Sequence, residues 1–149
     1  MINLIRTDST NKDFKILVKE LDMYLSGING DNDEFFRGHN KIDHLNHVVV
    51  AYCNGEAVGC GAFKVFNEEG VEVKRMYVKP EFRGQKIAMK ILEELEKWAK
   101  ANEFRFVLLE TSKEMLPAVK LYKRNNYDVI PNYEPYKNIE SSICFKKNI

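Results

Sequence analysis

The chain has 149 residues, 44% of them apolar and 30% charged, with a formal net charge of +1. A chain of this length can bury roughly 68–70% of its unfolded surface without disulfides or metals, so a single domain over residues 1–149 is expected. Balanced charge offers no overall field for a nucleic acid or an anionic membrane, and the longest apolar run, Val48 to Cys53, is far short of the ~20 residues of a membrane-spanning helix.

Ile2–Arg6 alternates weakly and reads as a first strand. Thr7 to Asn11 supplies several candidate caps for a helix whose apolar face is Phe14, Leu17, Val18, Leu21 and Leu25, ending at Ser26-Gly27. Residues 26–46 are polar and irregular, with a short helix expected around Asp33–Gly38. His47–Tyr52 and Ala57–Phe66 are strands joined by Asn54-Gly55, a strong two-residue hairpin signal. A second turn, Asn67 to Gly70, leads into a strand at Val71–Val78. Three consecutive hairpin-linked strands exclude a purely parallel, doubly wound sheet.

Beyond Lys79-Pro80 the apolar period changes from two to 3.6. Ile87, Ile91, Leu92, Leu95, Trp98 and Ala99 line one face of a long helix. Phe104–Glu110 is an apolar strand of the kind buried on both faces. Leu116, Val119, Leu121 and Tyr122 belong to a further helix, stopped at Asn125-Asn126. Tyr127–Ile130 and Ser142–Phe145 read as closing strands, giving the order β-α-α-β-β-β-α-β-α-β-β.

Cys53, Cys60 and Cys144 are an odd number of thiols set in apolar stretches, and they read as small buried side chains. With no signal-peptide core in Met1 to Arg6, a reducing cytoplasm is the expected location. His39, His44 and His47 lack the spacing of a metal site and read as surface or loop residues; no metal is expected.

The step from strand to helix at Val78–Met89 carries the first chemical signal. A helix's first turn presents unpaired N–H groups and the positive end of its dipole, a ready site for an anion. Gly84 and Ala88 leave room for the anion to approach the backbone, and Lys79, Arg83, Lys86 and Lys90 add local positive charge. On composition alone, a diphosphate cradle and an ordinary connection with a solvated basic face fit equally well. There is no Gly-Lys-Ser/Thr ending of a P-loop and no G-x-G-x-x-G of a dinucleotide fold. The strand before it holds charge on both faces, with Glu72, Lys74 and Met76 on one side and Val73, Arg75 and Tyr77 on the other. Either that strand borders a cleft or its charges are paired internally.

The run Val71–Leu92, VEVKRMYVKPEFRGQKIAMKIL, resembles the R/Q-x-x-G-x-G/A acetyl-CoA motif of the GNAT (Gcn5-related N-acetyltransferase) superfamily. Arg83 matches its first position and Ala88 its last, with Lys86 where the family usually has glycine, a departure expected to be tolerable with negative φ in a helical first turn. Ala118 to Tyr127 resembles the family's A-x-x-L-Y-x-x-x-G-F/Y segment, with Asn126 in place of glycine. Asn is the next-best residue for a left-handed helix C-terminus. The resemblance covers nearly the whole chain. It implies an α+β, three-layer GNAT fold whose mixed, mostly antiparallel sheet is flanked by about four helices.

It also implies acetyl-CoA as co-substrate. The pantetheine arm would pair with the strand at Met76, Tyr77 and Val78, and the diphosphate with the N–H groups of Arg83, Gly84, Gln85, Lys86, Ile87 and Ala88. A primary amine would attack the thioester directly in a ternary complex, with a backbone N–H near Met76 as donor to the oxyanion. Tyr122 would protonate the leaving thiolate without large pKa tuning. Glu72, eleven residues before Arg83, would be the base, with ordered water as the alternative and an ion pair with Lys74 or Arg75 as its other use. The expected acceptor is a small-molecule amine, with Asp31, Asp33, Glu34, Arg37, Arg75, Tyr133, Glu134 and Tyr136 as candidate groove residues. A protein or peptide acceptor and a catalytically silent acyl-CoA-binding module are the alternatives. No nucleic-acid or membrane partner is expected, and homodimer formation is left open.

Overall fold

The structure is a computed structural model that describes residues 1–29 and 44–149. The expected helix at Asp33–Gly38 lies outside the described residues, as do Asp31, Glu34, Arg37 and His39.

The described elements are β1 (Ile2–Thr7), α1 (Lys12–Asn29), β2 (His47–Cys53), β3 (Glu56–Val65), β4 (Gly70–Val78), a 3₁₀ turn (Pro80–Phe82), α2 (Ile87–Ala101), β5 (Phe106–Ser112), α3 (Leu116–Arg124), β6 (Asp128–Ile130) and β7 (Ser142–Asn148). The strands form a seven-stranded sheet in the order β1-β2-β3-β4-β5-β7-β6. The β4–β5 pair is parallel, and the β1–β2, β2–β3, β5–β7 and β6–β7 pairs are antiparallel. Three α-helices are present among the described residues. The chain divides into two compact units, residues 1–64 with 74–95, and residues 65–73 with 96–149, so β4 and α2 each have residues in both.

In the first unit, α1 is capped by Asn11, whose side-chain oxygen accepts from Phe14 N–H at 2.9 Å. The helix continues past Gly27 to Asn29, because one interior glycine costs only about 1 kcal/mol. Its apolar residues Phe14, Leu17, Val18 and Leu21 pack on Val48, Val50, Cys60, Ala62 and Tyr77. The opposite face of β3 carries Gly59 and Gly61, where a Cβ would lie 3.1 Å and 2.9 Å from side-chain atoms of Ile91. Absent side chains thus let α2 close on the strand, and β3 is buried on both faces. The β2–β3 hairpin turns through Asn54 (φ 50°) and Gly55 (φ 85°), the paired left-handed conformations of a type I′ turn. His47 is the first residue of β2, where the strand was expected to begin, and it stacks on Phe63 at 4.5 Å.

In the second unit, β5 begins at Phe106, two residues later than its apolar run suggests. The end of α2 consumes the difference. Glu103 adopts φ 70°, and the N–H groups of Glu103 and Phe104 donate to Lys100 O (2.9 Å) and Ala99 O (3.0 Å), a Schellman ending. α3 ends in the same way. Asn126 adopts φ 71°, and the N–H groups of Asn126 and Tyr127 donate to Lys123 O (3.3 Å) and Tyr122 O (3.0 Å). Asparagine fills the left-handed position expected for it. Among the described residues, no helix is long and apolar enough to cross a membrane.

Candidate active site

The expected site residues fall into two groups, one in each unit. The first runs from Arg75 to Met89. Arg75 has φ 61° inside β4, a left-handed conformation that a strand holds at bulge residues. Its guanidinium is buried, pairs with Asp22 and reaches Val18 O at 3.4 Å, both on α1. Arg75, a candidate groove residue, has a carboxylate of the protein as its partner. Its Nε is buried with no hydrogen-bond partner among the described residues. Arg75 and Glu72 thus have partners on other elements, Asp22 on α1 and Tyr133 beyond β6.

Met76 is half-buried, with its sulfur over Gly61 in the space that a Cβ there would take. The Tyr77 phenol donates to Glu20 at 3.2 Å, and burial, followed by the Glu20 charge, raises its pKa. The Val78 carbonyl accepts from Arg83 Nε at 3.0 Å. The Arg83 guanidinium also lies over the rings of Tyr24 (5.6 Å) and Tyr77 (5.9 Å), so this side chain ties the turn back to the strand it leaves. Lys79 pairs with Glu56 at 3.7 Å and Glu20 at 4.0 Å. Of the four expected cations, Lys86 and Lys90 are exposed and form no ion pair among the described residues.

The turn itself differs from expectation at one point. α2 begins at Ile87, and Lys86 has φ 62°, not the negative φ of a helical first turn. Together with Gly84 (φ 82°), it lifts the chain through two left-handed residues before the helix starts. None of the N–H groups from Gly84 to Met89 donates to a described backbone carbonyl, and the first such bond into the helix is Lys90 N to Lys86 O at 3.1 Å. A Cβ on Gly84 would meet nothing within 4 Å. An unspent row of donors beside open space is a fitting cradle for a diphosphate. Ile87 is 1% exposed and offers only its backbone; Gln85 is exposed and Ala88 half-buried.

The second group surrounds Glu72 and Tyr122. The registers Glu72↔Leu108 and Glu110↔Cys144 put Glu72, Glu110 and Cys144 on one face of the sheet. Glu72 is 3% exposed and accepts from the Tyr133 phenol at 2.9 Å; Tyr136 also hydrogen-bonds to it. Burial, then the Glu72 charge, pushes both phenols far above the usual tyrosine range. Glu110 accepts from Ser142 Oγ at 2.6 Å. The Asn132 amide donates to the carbonyls of Tyr136 (3.3 Å), Ile139 (3.2 Å) and Ser142 (3.2 Å), pinning the β6–β7 loop that carries the tyrosines. Glu134 is exposed on that loop.

Tyr122 packs against Phe145 (5.7 Å) and Tyr127 (5.9 Å). Phe145 neighbours Cys144 along β7, so Tyr122 lies on the sheet face opposite Glu72, and the two side chains are not brought together. Burial, then the Glu110 charge, raises the Tyr122 pKa well beyond its ordinary value; large tuning is present after all, in the direction that keeps the phenol protonated. The thiols of Cys60 and Cys144 are pushed up to about 12 and about 11 by burial. Neither is a ready nucleophile at neutral pH. Among the described residues, no three metal-ligating side chains cluster.

Glu110 and Asn132 were not singled out in the sequence. Glu110 did carry a signal, a carboxylate at the end of an expected apolar strand. Asn132 offered no signal, since its three acceptors are fixed by loop closure.

The description "Acetyltransferase (GNAT) family" fits residues 14–127 of this chain, and the chain belongs to that family of N-acetyltransferases. It is 32% identical to an IAA acetyltransferase of Azospirillum brasilense, over 88% of this chain and 87% of that protein. It is 31% identical to an uncharacterized N-acetyltransferase of Schizosaccharomyces pombe, over 91% and 85% of the two. Among solved structures, a Klebsiella pneumoniae protein assigned as an acyl-CoA N-acyltransferase superposes with TM-score 0.84 at 27% identity, covering 99% of this chain and 97% of that one. The PaiA N-acetyltransferase of Thermoplasma acidophilum, solved with coenzyme A, shares the fold at TM-score 0.73 and 18% identity, covering 100% and 99%.

Proposed function

We propose that the protein transfers an acetyl group from acetyl-CoA to the primary amine of a small molecule, by direct attack in a ternary complex. The observation that carries the donor half is the row of unspent N–H groups from Gly84 to Met89, opened by left-handed Gly84 and Lys86. These donors take the diphosphate, Lys86 and Lys90 add charge at its edge, and β4 at Met76, Tyr77 and Val78 offers backbone to the pantetheine amides. The Val78 carbonyl is already engaged by Arg83, which leaves its second lone pair and the Met76 groups for this task.

The amine half rests on Glu72. A primary amine arrives as ammonium and loses one proton before its nitrogen can form the C–N bond. Glu72 accepts that proton, and a cationic acceptor is favoured by the second carboxylate, Glu110, on the same face. As the C–S bond breaks, the sulfur leaves as thiolate, and the second proton that the nitrogen loses as the amide forms neutralises it to the free thiol. Tyr122, on the opposite face, donates a hydrogen bond to the thiolate. A free thiol titrates near ~8.5, below the buried phenol, so the phenol stabilises the thiolate without surrendering its proton fully.

The test is release of free thiol from acetyl-CoA with a panel of amines, amino acids, polyamines and peptides. Turnover with small amines supports the reading. Turnover with peptides alone would replace it by protein acetylation, and tight acetyl-CoA binding with no turnover would replace it by a silent binding module. Tyr122→Phe is expected to lower kcat by about 100-fold with acetyl-CoA affinity unchanged; unchanged kcat would remove Tyr122 from the mechanism.

A further inference from the structure

The proposed base is nearly closed to bulk solvent. Glu72 is 3% exposed, and the proton it takes from the amine has to pass to water before the next turnover. The ionisable groups facing Glu72 include Tyr133 and Tyr136 from the β6–β7 loop, Glu110 from β5 and Cys144 from β7. Of these two phenols, Tyr136 is 1% exposed, whereas Tyr133 is half-buried. The Tyr133 ring is fixed edge-on between Phe66 (5.5 Å) and Tyr136 (5.6 Å). Its hydroxyl already donates to Glu72 Oε2 at 2.9 Å, and the loop beneath it is held by Asn132.

We propose that Tyr133 is the proton outlet of Glu72: the protonated carboxyl hands its proton to the Tyr133 oxygen as the phenol releases its own proton to water. The balance is one proton from Glu72 to solvent, with Glu72 returned to carboxylate and the phenol neutral at the end. No tyrosinate accumulates, which suits a phenol whose burial disfavours ionisation. Tyr133 is thus a positioning and relay residue that acts through Glu72, and this inference rests on Glu72 being the base.

The experiment compares Tyr133→Phe, Tyr136→Phe and Glu72→Gln with the parent enzyme in H₂O and D₂O. Tyr133→Phe keeps the ring contacts and removes only the hydroxyl. It is expected to lower kcat by about tenfold or more, to leave the acetyl-CoA KM unchanged, and to enlarge the solvent deuterium effect on kcat, since proton release becomes the slow step. Tyr136→Phe is expected to keep the parental isotope effect. A Tyr133→Phe enzyme with kcat within twofold of the parent, beside an inactive Glu72→Gln, would overturn the outlet and leave the base standing. A lowered kcat with an unchanged isotope effect would mark Tyr133 as structural and overturn the outlet too. Full activity in Glu72→Gln would overturn the base, and the outlet with it.

Discussion

The beginning of α2 and the end of α3 both hold a residue other than glycine in the left-handed region, Lys86 at φ 62° and Asn126 at φ 71°. Their hydrogen bonding differs completely. At the end of α3, two N–H groups close onto the carbonyls of Lys123 and Tyr122, and the Asn125 amide donates to Leu121 O at 2.8 Å. At the start of α2, the N–H groups from Gly84 to Met89 close onto no described backbone carbonyl. One terminus spends its polar groups on itself, and the other holds them in reserve. The same backbone conformation is a folding device in the first case and a binding device in the second. Substitutions should therefore be read by stability at residue 126 and by ligand affinity at residues 84–86.

The largest effect that would break this contrast is expected at Gly84. A β-branched side chain at φ 82° is a steric outlier, so Gly84→Val should distort the donor row and weaken acetyl-CoA binding by roughly 100-fold, about 2.7 kcal/mol. Circular dichroism should show an intact fold, because a side chain there meets no neighbour within 4 Å. Calorimetric binding equal to the parent would mean that the row is not the cradle. Lys86→Glu comes next. Exposed charges are screened, so the loss should be about tenfold and should shrink as salt is raised. A loss indifferent to salt would point to a distorted turn instead.

Asn126→Ala should cost stability and nothing else. Placing alanine in the left-handed region costs about 1–2 kcal/mol, a fall in Tm of a few degrees for a chain this size. Asn126→Gly should be near neutral, and neither variant should alter acetyl-CoA affinity. An affinity change at residue 126 would erase the distinction between the two termini.

What the sequence disclosed follows the same line. Local periodicity and turn chemistry were legible: the Asn54-Gly55 turn, the apolar faces of α1 and α2, and the left-handed role of Asn126. Features decided by distant closure were not. Lys86 reads as an ordinary helical residue, since nothing in its neighbours says that the turn needs a second positive φ. Glu72 was legible as a candidate by its position in the motif, but its phenol partner lies 61 residues away in the chain. Arg75 looked available to a substrate because Asp22, its partner from 53 residues earlier, becomes its neighbour only when α1 packs on β4. The candidate acid and base were named from the chain. That they occupy opposite faces of the sheet required the strand registers.

The smallest effect sharpens the comparison most. Lys86→Gly removes a left-handed penalty of about 1–2 kcal/mol and adds about 0.5–1 kcal/mol of chain entropy, so stability should rise slightly, by up to about 1.5 kcal/mol. Under the binding reading, the same change removes a cation beside the donor row, and acetyl-CoA should bind a few-fold more weakly, chiefly at low salt. Opposite signs for stability and affinity at one residue would identify strain retained for a ligand. If affinity held while stability rose, the N–H row alone would bind the diphosphate, and the lysine at this position would have no role in the cradle beyond its backbone.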